Sequence, residues 1–180
     1  MPQLALYATM CTIYNMIVKD AMVLIHLAKL TLLEKSCDFF KDVIIPELVY
    51  REAVTEGKGR AYTDAFVIED ATRKGKIKVK KVKKPETLKE LRGINIQGGE
   101  AEAIALYWEE KADLIASDDS NVLGKRDMLN INLIGTPSII LTLYKKKFID
   151  KEKIKSSVKR LREIGWFSNS VLDKIIMEAD

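Results

Sequence analysis

The sequence has few of the histidine and cysteine residues that several classes of metalloprotein and secreted protein require. It contains a single histidine, His26, which excludes a histidine-rich metal site, and His26 lies in an apolar helical pattern typical of a structural residue. Its two cysteines, Cys11 and Cys37, show no metal-ligand spacing and are too few for a disulfide framework. Such sparse cysteine suits a reducing cytoplasm.

Long apolar runs are also lacking. No stretch approaches the roughly 18 uncharged apolar residues of a membrane span, so we expect no membrane partner. The first residues are mildly apolar without a basic leading region, which argues against a signal peptide and for a cytoplasmic location. No low-complexity linker divides the 180 residues, which suffice for one full core. We expect an N-terminal extension of undetermined status over residues 1–13 and a single domain over residues 14–180.

Basic charge is unevenly placed in a chain whose formal net charge is +4. Seven lysines fall between Lys74 and Lys84, and a second cluster covers Lys145–Lys159. Two interpretations stay open for each cluster: a solvated surface, or attraction to the phosphate backbone of a nucleic acid. Because few aromatic residues lie among the lysines, neither cluster indicates nucleic acid by itself.

Strand and helix patterns alternate along the chain. Short apolar strands are predicted at Tyr14–Asp20, Val43–Ile45, Ile77–Val82 (a lysine-protected edge), 112–116 and Ile131–Ile134. Helices are predicted at Ala21–Leu30, Ala61–Lys74, Ser120–Leu129, Lys151–Ile164 and Ser168–Glu178, with Pro85–Arg92 as a short helix or loop. This alternation predicts an α/β fold with three layers, α/β/α, and a mostly parallel central sheet.

Three further helices are predicted from their starting residues. One has Pro46 in its first turn and ends at Gly57 and Gly59. Another, the central helix, begins at Gly98-Gly99, and a third has Thr136 as its N-cap.

Acidic residues collect where the predicted strands end. In parallel α/β sheets, ligands bind beyond the carboxyl ends of the strands. Asp20 ends the first strand, Asp118 and Asp119 follow the fourth, and Glu52 lies on the helix that follows the second strand, where one turn projects back over the same edge.

Glu100 and Glu102 both lie in the first turn of the central helix. Two positions apart, they differ by about 200° of helix rotation, so only one of them points inward. The neighbouring apolar face of Ala101, Ile104 and Ala105 favours Glu100 as the inward residue.

Each acid alone also fits a purely structural role. First-turn acids stabilise a helix dipole, and Asp118-Asp119 before Ser120 fits a turn and an N-cap. The convergence of the whole set favours a metal site, because clustered carboxylates repel one another unless a cation lies among them. Hard oxygen ligands of this kind favour Mg²⁺ or Mn²⁺.

From about Tyr14 onwards, the sequence resembles the PIN-domain nucleases, which include toxin ribonucleases of toxin–antitoxin pairs and RNA-processing nucleases. The matching segments are VKDAMVLIHLAKL, IIPELVYREAV, GEAEAIAL and SDD, which carry Asp20, Glu52, Glu100 and Asp119 at the positions of the four family acids. The sequence departs from the family pattern in two places. A glutamate replaces the more usual aspartate at the third acid, and Met22 replaces a small polar residue.

The resemblance implies metal-dependent hydrolysis of RNA with Mg²⁺ or Mn²⁺ as cofactor. It implies catalytic roles for Asp20, Glu52, Glu100 and Asp119, metal ligation by Asp20, Glu100, Asp119 and Asp118, and supporting roles for Glu102 and Ser117. The implied partners are RNA, a homodimeric second copy and, in a toxin role, a small antitoxin protein. The alternative is a PIN-fold module that binds RNA or protein with little or no catalytic activity.

Overall fold

A computed structural model of the chain describes residues 14–179. Five parallel strands form its central sheet in the order β3-β2-β1-β4-β5: β1 (Met16–Lys19), β2 (Asp42–Pro46), β3 (Ile77–Lys80), β4 (Leu114–Ala116) and β5 (Leu133–Ile134). Ile17 on the central strand pairs with Val43 on one side and with Leu114 on the other. The extension predicted for residues 1–13 lies outside the described residues.

Helices cover both faces of the sheet. In chain order they are α1 (Ala21–Lys29), α2 (Leu33–Phe40), α3 (residues 47–59), α4 (Thr63–Arg73), α5 (Pro85–Gly93), α6 (Gly98–Glu110), α7 (Ser120–Lys125), α8 (Thr136–Lys145), α9 (Lys151–Ile164) and α10 (Asn169–Met177). Helix α3 starts as Glu47–Tyr50, passes through a π-helical segment at Arg51–Glu56 and ends with Gly57–Gly59.

The strand residues alternate between two hydrophobic cores. Ile17 belongs to a core shared with α1 to α4 and α8 to α10, whereas its neighbour Val18 belongs to a core shared with α5, α6 and α7. The predicted three-layer α/β/α architecture with a parallel sheet is therefore confirmed. No helix within residues 14–179 is both long and apolar enough to cross a membrane.

The structure corrects several predicted helix ends. Helix α2 was not predicted, although Leu33, Cys37 and Phe40 bury one face at helical spacing. Pro46 is the last residue of β2 and precedes α3 as its N-cap, so the prediction of Pro46 inside the first turn was wrong. Likewise Gly135 is the N-cap of α8, and Thr136 is its first helical residue.

Gly57 does not end α3, contrary to the prediction. Its backbone is helical, and a Cβ at this position would lie 2.8 Å from the Cβ of Ala65 on α4. The glycine therefore allows α3 and α4 to pack closely, and the helix continues to Gly59.

The lysines between Lys74 and Lys84 are largely neutralised by carboxylates. Ion pairs join Lys74 to Asp70, Lys76 to Asp38, Lys78 to Asp42 and Lys80 to Glu110, with nitrogen–oxygen distances of 2.5 to 2.9 Å. Paired charges of this kind suit a solvated surface better than a nucleic-acid interface.

Candidate active site

Asp20 connects the ends of two central strands. It follows β1 and is the N-cap of α1, where its Oδ1 accepts the N–H of Val23 at 2.9 Å. Its own N–H donates to the carbonyl of Ala116, the last residue of β4, at 3.0 Å. The Ser117 hydroxyl lies beside the Asp20 carboxylate and lowers its pKa. Asp20 is therefore fixed at the carboxyl edge of the sheet, where it was expected.

The Asp20 carboxyl is buried, with 4% of the residue exposed. Burial, helped by the neighbouring carboxylates of Asp118 and Glu100, raises its pKa to about 7. The Ser117 hydroxyl and the hydrogen bond from Val23 act in the opposite direction without cancelling the effect of burial. Asp20 is thus a carboxylate that a nearby cation would stabilise strongly.

Asp119 and Glu100 meet beside Asp20. Asp119 follows β4 as the N-cap of α7, and its Oδ1 accepts the N–H groups of Asn121 at 2.8 Å and Val122 at 2.9 Å. Glu100, in the first turn of α6, lies beside the Asp119 carboxyl group, which raises its pKa. Burial, followed by the neighbouring Asp119 carboxyl group, raises the pKa of Glu100 to about 7.

Ser117 lies between these acids. Its Oγ accepts the N–H of Asp119 at 3.2 Å, and its hydroxyl lies beside the Asp20 carboxylate, whose pKa it lowers. One side chain therefore sets the relative position of two predicted metal ligands.

Glu52 joins the group from the π-helical segment of α3. Its Oε1 accepts the N–H of Gly99 at 3.3 Å, which places the Glu52 carboxylate at the start of α6. Burial raises the pKa of Glu52, although Gly99 acts against this, and Glu52 in turn raises the pKa of Glu100. π-helical segments are frequent at functional sites, and nothing in the sequence signalled this one.

Glu102 is directed elsewhere. Its Oε2 accepts the N–H of Leu48, in the first turn of α3, at 3.1 Å. This bond satisfies one of the free N–H groups at the start of a helix. The two acids of the GEAEA segment thus divide as their spacing predicts, with Glu100 facing Asp119 and Glu102 facing α3.

Asp118 lies in a buried network of its own. Its Oδ1 accepts the N–H of Thr136 at 2.7 Å, and its Oδ2 contacts the Thr136 hydroxyl at 2.5 Å and His26 Nδ1 at 2.8 Å. Both carboxylate oxygens therefore already have protein partners. Sequence reasoning missed this network because its three residues come from separate segments.

His26 is 2% exposed, as expected of a structural residue. Its ring packs edge-on against Phe167 with centroids 5.4 Å apart, and its Nε2 has no hydrogen-bond partner within residues 14–179. Through Asp118, His26 links α1 to the segment that carries Asp119.

The acids are linked in pairs in the structure. No three acidic, histidine or cysteine side chains of residues 14–179 are clustered closely enough to hold a metal ion as they stand. The donor set nevertheless suits a hard divalent cation, because every donor is a carboxylate oxygen. A cation held by Glu100 and Asp119 would offset the repulsion between their negative charges.

The chain belongs to the PIN-domain family, because a family model described as a PIN domain matches residues 16–180. Members of this family are generally nucleases and typically use divalent metal ions. No curated protein and no solved structure matches the chain.

Proposed function

We propose that this PIN domain is a ribonuclease that hydrolyses phosphodiester bonds with the help of Mg²⁺ or Mn²⁺. The observation that supports the proposal most is the Glu100–Asp119 carboxyl pair, at the edge of the sheet where Asp20 follows β1. Two adjacent carboxyl groups, with Glu52 as a third that also raises the pKa of Glu100, form an arrangement that favours a cation.

Asp20, Glu100 and Asp119 would hold the ion. When bound, the ion would supply Lewis acidity that activates water and stabilises negative charge on the phosphate and the leaving oxygen. The N–H groups of Asn121 and Val122 hold one oxygen of Asp119 and leave the other to the site.

Glu52 would orient the attacking water or act as a further ligand. Its carboxylate lies against the backbone of Gly99, one residue before Glu100, so the two acids are positioned together. Ser117 would hold Asp20 and Asp119 in their relative positions.

Asp118 and Glu102 receive supporting roles in this proposal. Asp118 was predicted as a metal ligand, but both of its oxygens are engaged by Thr136 and His26, and we assign it the task of anchoring the loop that carries Asp119. Glu102 fixes the start of α3, which leads into the segment that carries Glu52.

The choice of RNA as substrate rests on the resemblance to toxin and RNA-processing nucleases. A toxin role adds a small antitoxin protein as partner, and the family also suggests a homodimer. Copurification of a small protein encoded next to this chain would support the toxin role, and light scattering of the purified chain would test the dimer.

Cleavage of a labelled single-stranded RNA in the presence of Mn²⁺ tests the proposed activity. We expect Asp20→Asn and Glu100→Gln to lower the rate roughly 100-fold or more, since even the outer partners of metal ligands contribute about 10–100-fold. Glu102→Gln is the matched control on the same helix, because the glutamine oxygen still accepts the Leu48 N–H.

Unchanged cleavage by the folded Asp20→Asn and Glu100→Gln proteins would contradict the assignment. Wild-type protein that binds RNA without cleaving it in Mn²⁺ or Mg²⁺ would favour the non-catalytic binding module instead.

A further inference from the structure

A cavity of about 270 Å³ adjoins the acidic site. Its lining includes Ser117, Asp119 and Ser120, which belong to or adjoin the acidic site, as well as Trp166 and Lys174. Its size is slightly below the roughly 300–1,000 Å³ typical of pockets for small organic ligands. The cavity and the proposed catalytic site therefore share a wall.

Trp166 is presented to solvent by its neighbours. The backbone is extended at Gly165, and a Cβ there would lie 2.3 Å from the Phe167 ring. Phe167 packs inward against His26, so Trp166 points outward, because adjacent side chains of an extended segment project in opposite directions. Trp166 is fully exposed, with a relative accessibility of 102%.

We propose that this cavity binds an unpaired nucleobase of single-stranded RNA next to the carboxylate site, with Trp166 stacking on a base. This inference rests on the proposed nuclease function. Aromatic side chains in binding grooves for single strands stack on bases of any sequence, because every base has a π face.

Charge and position favour RNA over a protein in this cavity. Lys174 contributes positive charge to the lining, which suits the phosphates of a bound strand. The same lining includes Asp119, so a strand in the cavity would lie next to the proposed catalytic acids.

Four residues of the lining suit a nucleobase. Leu123 and Val171 provide apolar surface for a ring face, while the hydroxyls of Ser120 and Ser168 can bond to ring nitrogens and carbonyls. Stacking on an exposed tryptophan requires a base outside a duplex, so the inference specifies a single-stranded segment.

RNA binding in EDTA tests the inference without any contribution from metal or cleavage. The first protein is the Trp108→Phe variant, in which Trp166 is the remaining tryptophan. We expect a short single-stranded RNA to quench its fluorescence, and the corresponding RNA duplex to quench it far less.

Affinity is then measured from the polarisation of a labelled single strand. We expect Trp166→Ala to weaken binding on the order of tenfold, the scale of one base–aromatic stack, and Trp166→Phe to retain much of it. Phe66→Ala is the control, since Phe66 is an exposed aromatic residue, at 50%, outside the lining of this cavity.

Three results would overturn the inference: equal affinity of wild type and Trp166→Ala, no RNA binding by wild type, or Trp166 fluorescence that responds to protein concentration instead of RNA. The last result would show that a second copy of the chain covers the site. If RNA affinity depends on Trp166 but no RNA is cleaved, only the nuclease proposal is refuted. If cleavage depends on the carboxylates but is unaffected by Trp166→Ala, only this inference is refuted.

Discussion

Glu52 lies so close to the backbone of Gly99 that any larger residue there would have to displace the Glu52 carboxylate. The Gly99 N–H donates to Glu52 Oε1 at 3.3 Å, and a Cβ on Gly99 would lie 2.4 Å from Glu52 Oε2 and 3.1 Å from Val49 Cγ2. The glycine before Glu100 therefore brings two predicted catalytic acids, from α3 and α6, to one place.

Gly99→Ala is expected to push Glu52 out of position. Overpacking of this kind costs about 1–3 kcal/mol in the free energy of unfolding, and we also expect RNA cleavage to fall. Gly93→Ala is the control, because nothing lies within 4 Å of a Cβ there. Denaturant unfolding and cleavage rates measure both effects, and equal behaviour of the two variants would contradict the role assigned to Gly99.

Thr136→Val tests the Asp118 network. The variant keeps the backbone bond but removes the hydroxyl that contacts Asp118 Oδ2, and we expect a loss of about 1–3 kcal/mol in the free energy of unfolding. Thr142→Val, also buried, is the matched control, since its hydroxyl bonds to the backbone carbonyl of Ser138 one turn earlier. We expect a smaller loss there, and an equal loss would speak against a special role for the network.

The raised pKa values of Asp20 and Glu100 predict that, without metal, the free energy of unfolding depends on pH. Burial raises the pKa of Asp20 and Glu100 to about 7, from ordinary values of 3.8 and 4.5. Between about pH 4 and pH 7 the folded protein therefore binds more protons than the unfolded chain, and its free energy of unfolding falls as pH rises through this range. Thermal unfolding in EDTA at several pH values measures the slope, which Asp20→Asn should reduce.

Bound divalent metal is expected to oppose this fall in stability with rising pH. Because metal binding requires ionised carboxylates, Mn²⁺ should raise the melting temperature more at about pH 8 than at about pH 5. A shift of equal size at both pH values, or an undiminished shift in Asp20→Asn, would argue against binding at these acids.

Lys19 is a fully buried lysine immediately before Asp20. Its Nζ donates to Ser36 Oγ at 2.6 Å, and burial lowers its pKa to about 8. We expect Lys19→Met to raise the free energy of unfolding at pH 7 by about 1–4 kcal/mol, as found when buried charges are replaced by apolar groups.

The gain in the free energy of unfolding from Lys19→Met should shrink at higher pH. Above about pH 8 the folded wild type holds Lys19 neutral while the unfolded chain stays protonated up to 10.5, so wild-type stability rises through this range. Lys29→Met, on the exposed face of α1, is the control. A destabilised Lys19→Met protein at pH 7 would mean that Lys19 is needed in its charged form.

The parallel sheet and the places of the acids along it could be predicted from the sequence. Short apolar runs that end in Asp20 and in Asp118-Asp119 predict buried strands. Parallel strands bring their carboxyl ends to one edge of the sheet. The separation of Glu100 from Glu102 follows from helix geometry alone.

Contacts between distant segments could not be predicted in this way. The bond from His26 to Asp118 spans 92 residues, and the π-helical segment that carries Glu52 has no local signature. Gly57 shows the same limit: glycine usually ends a helix, yet here it serves the packing of α3 on α4.

A crystal soaked in Mn²⁺ tests the central claim most directly, since anomalous scattering locates the ion. The account predicts a peak in contact with carboxylate oxygens of Asp20, Glu100 and Asp119, at the roughly 2.0–2.2 Å typical of small divalent cations. A peak bound at Asp118 or Glu102, or no peak near these acids at millimolar Mn²⁺, would contradict it.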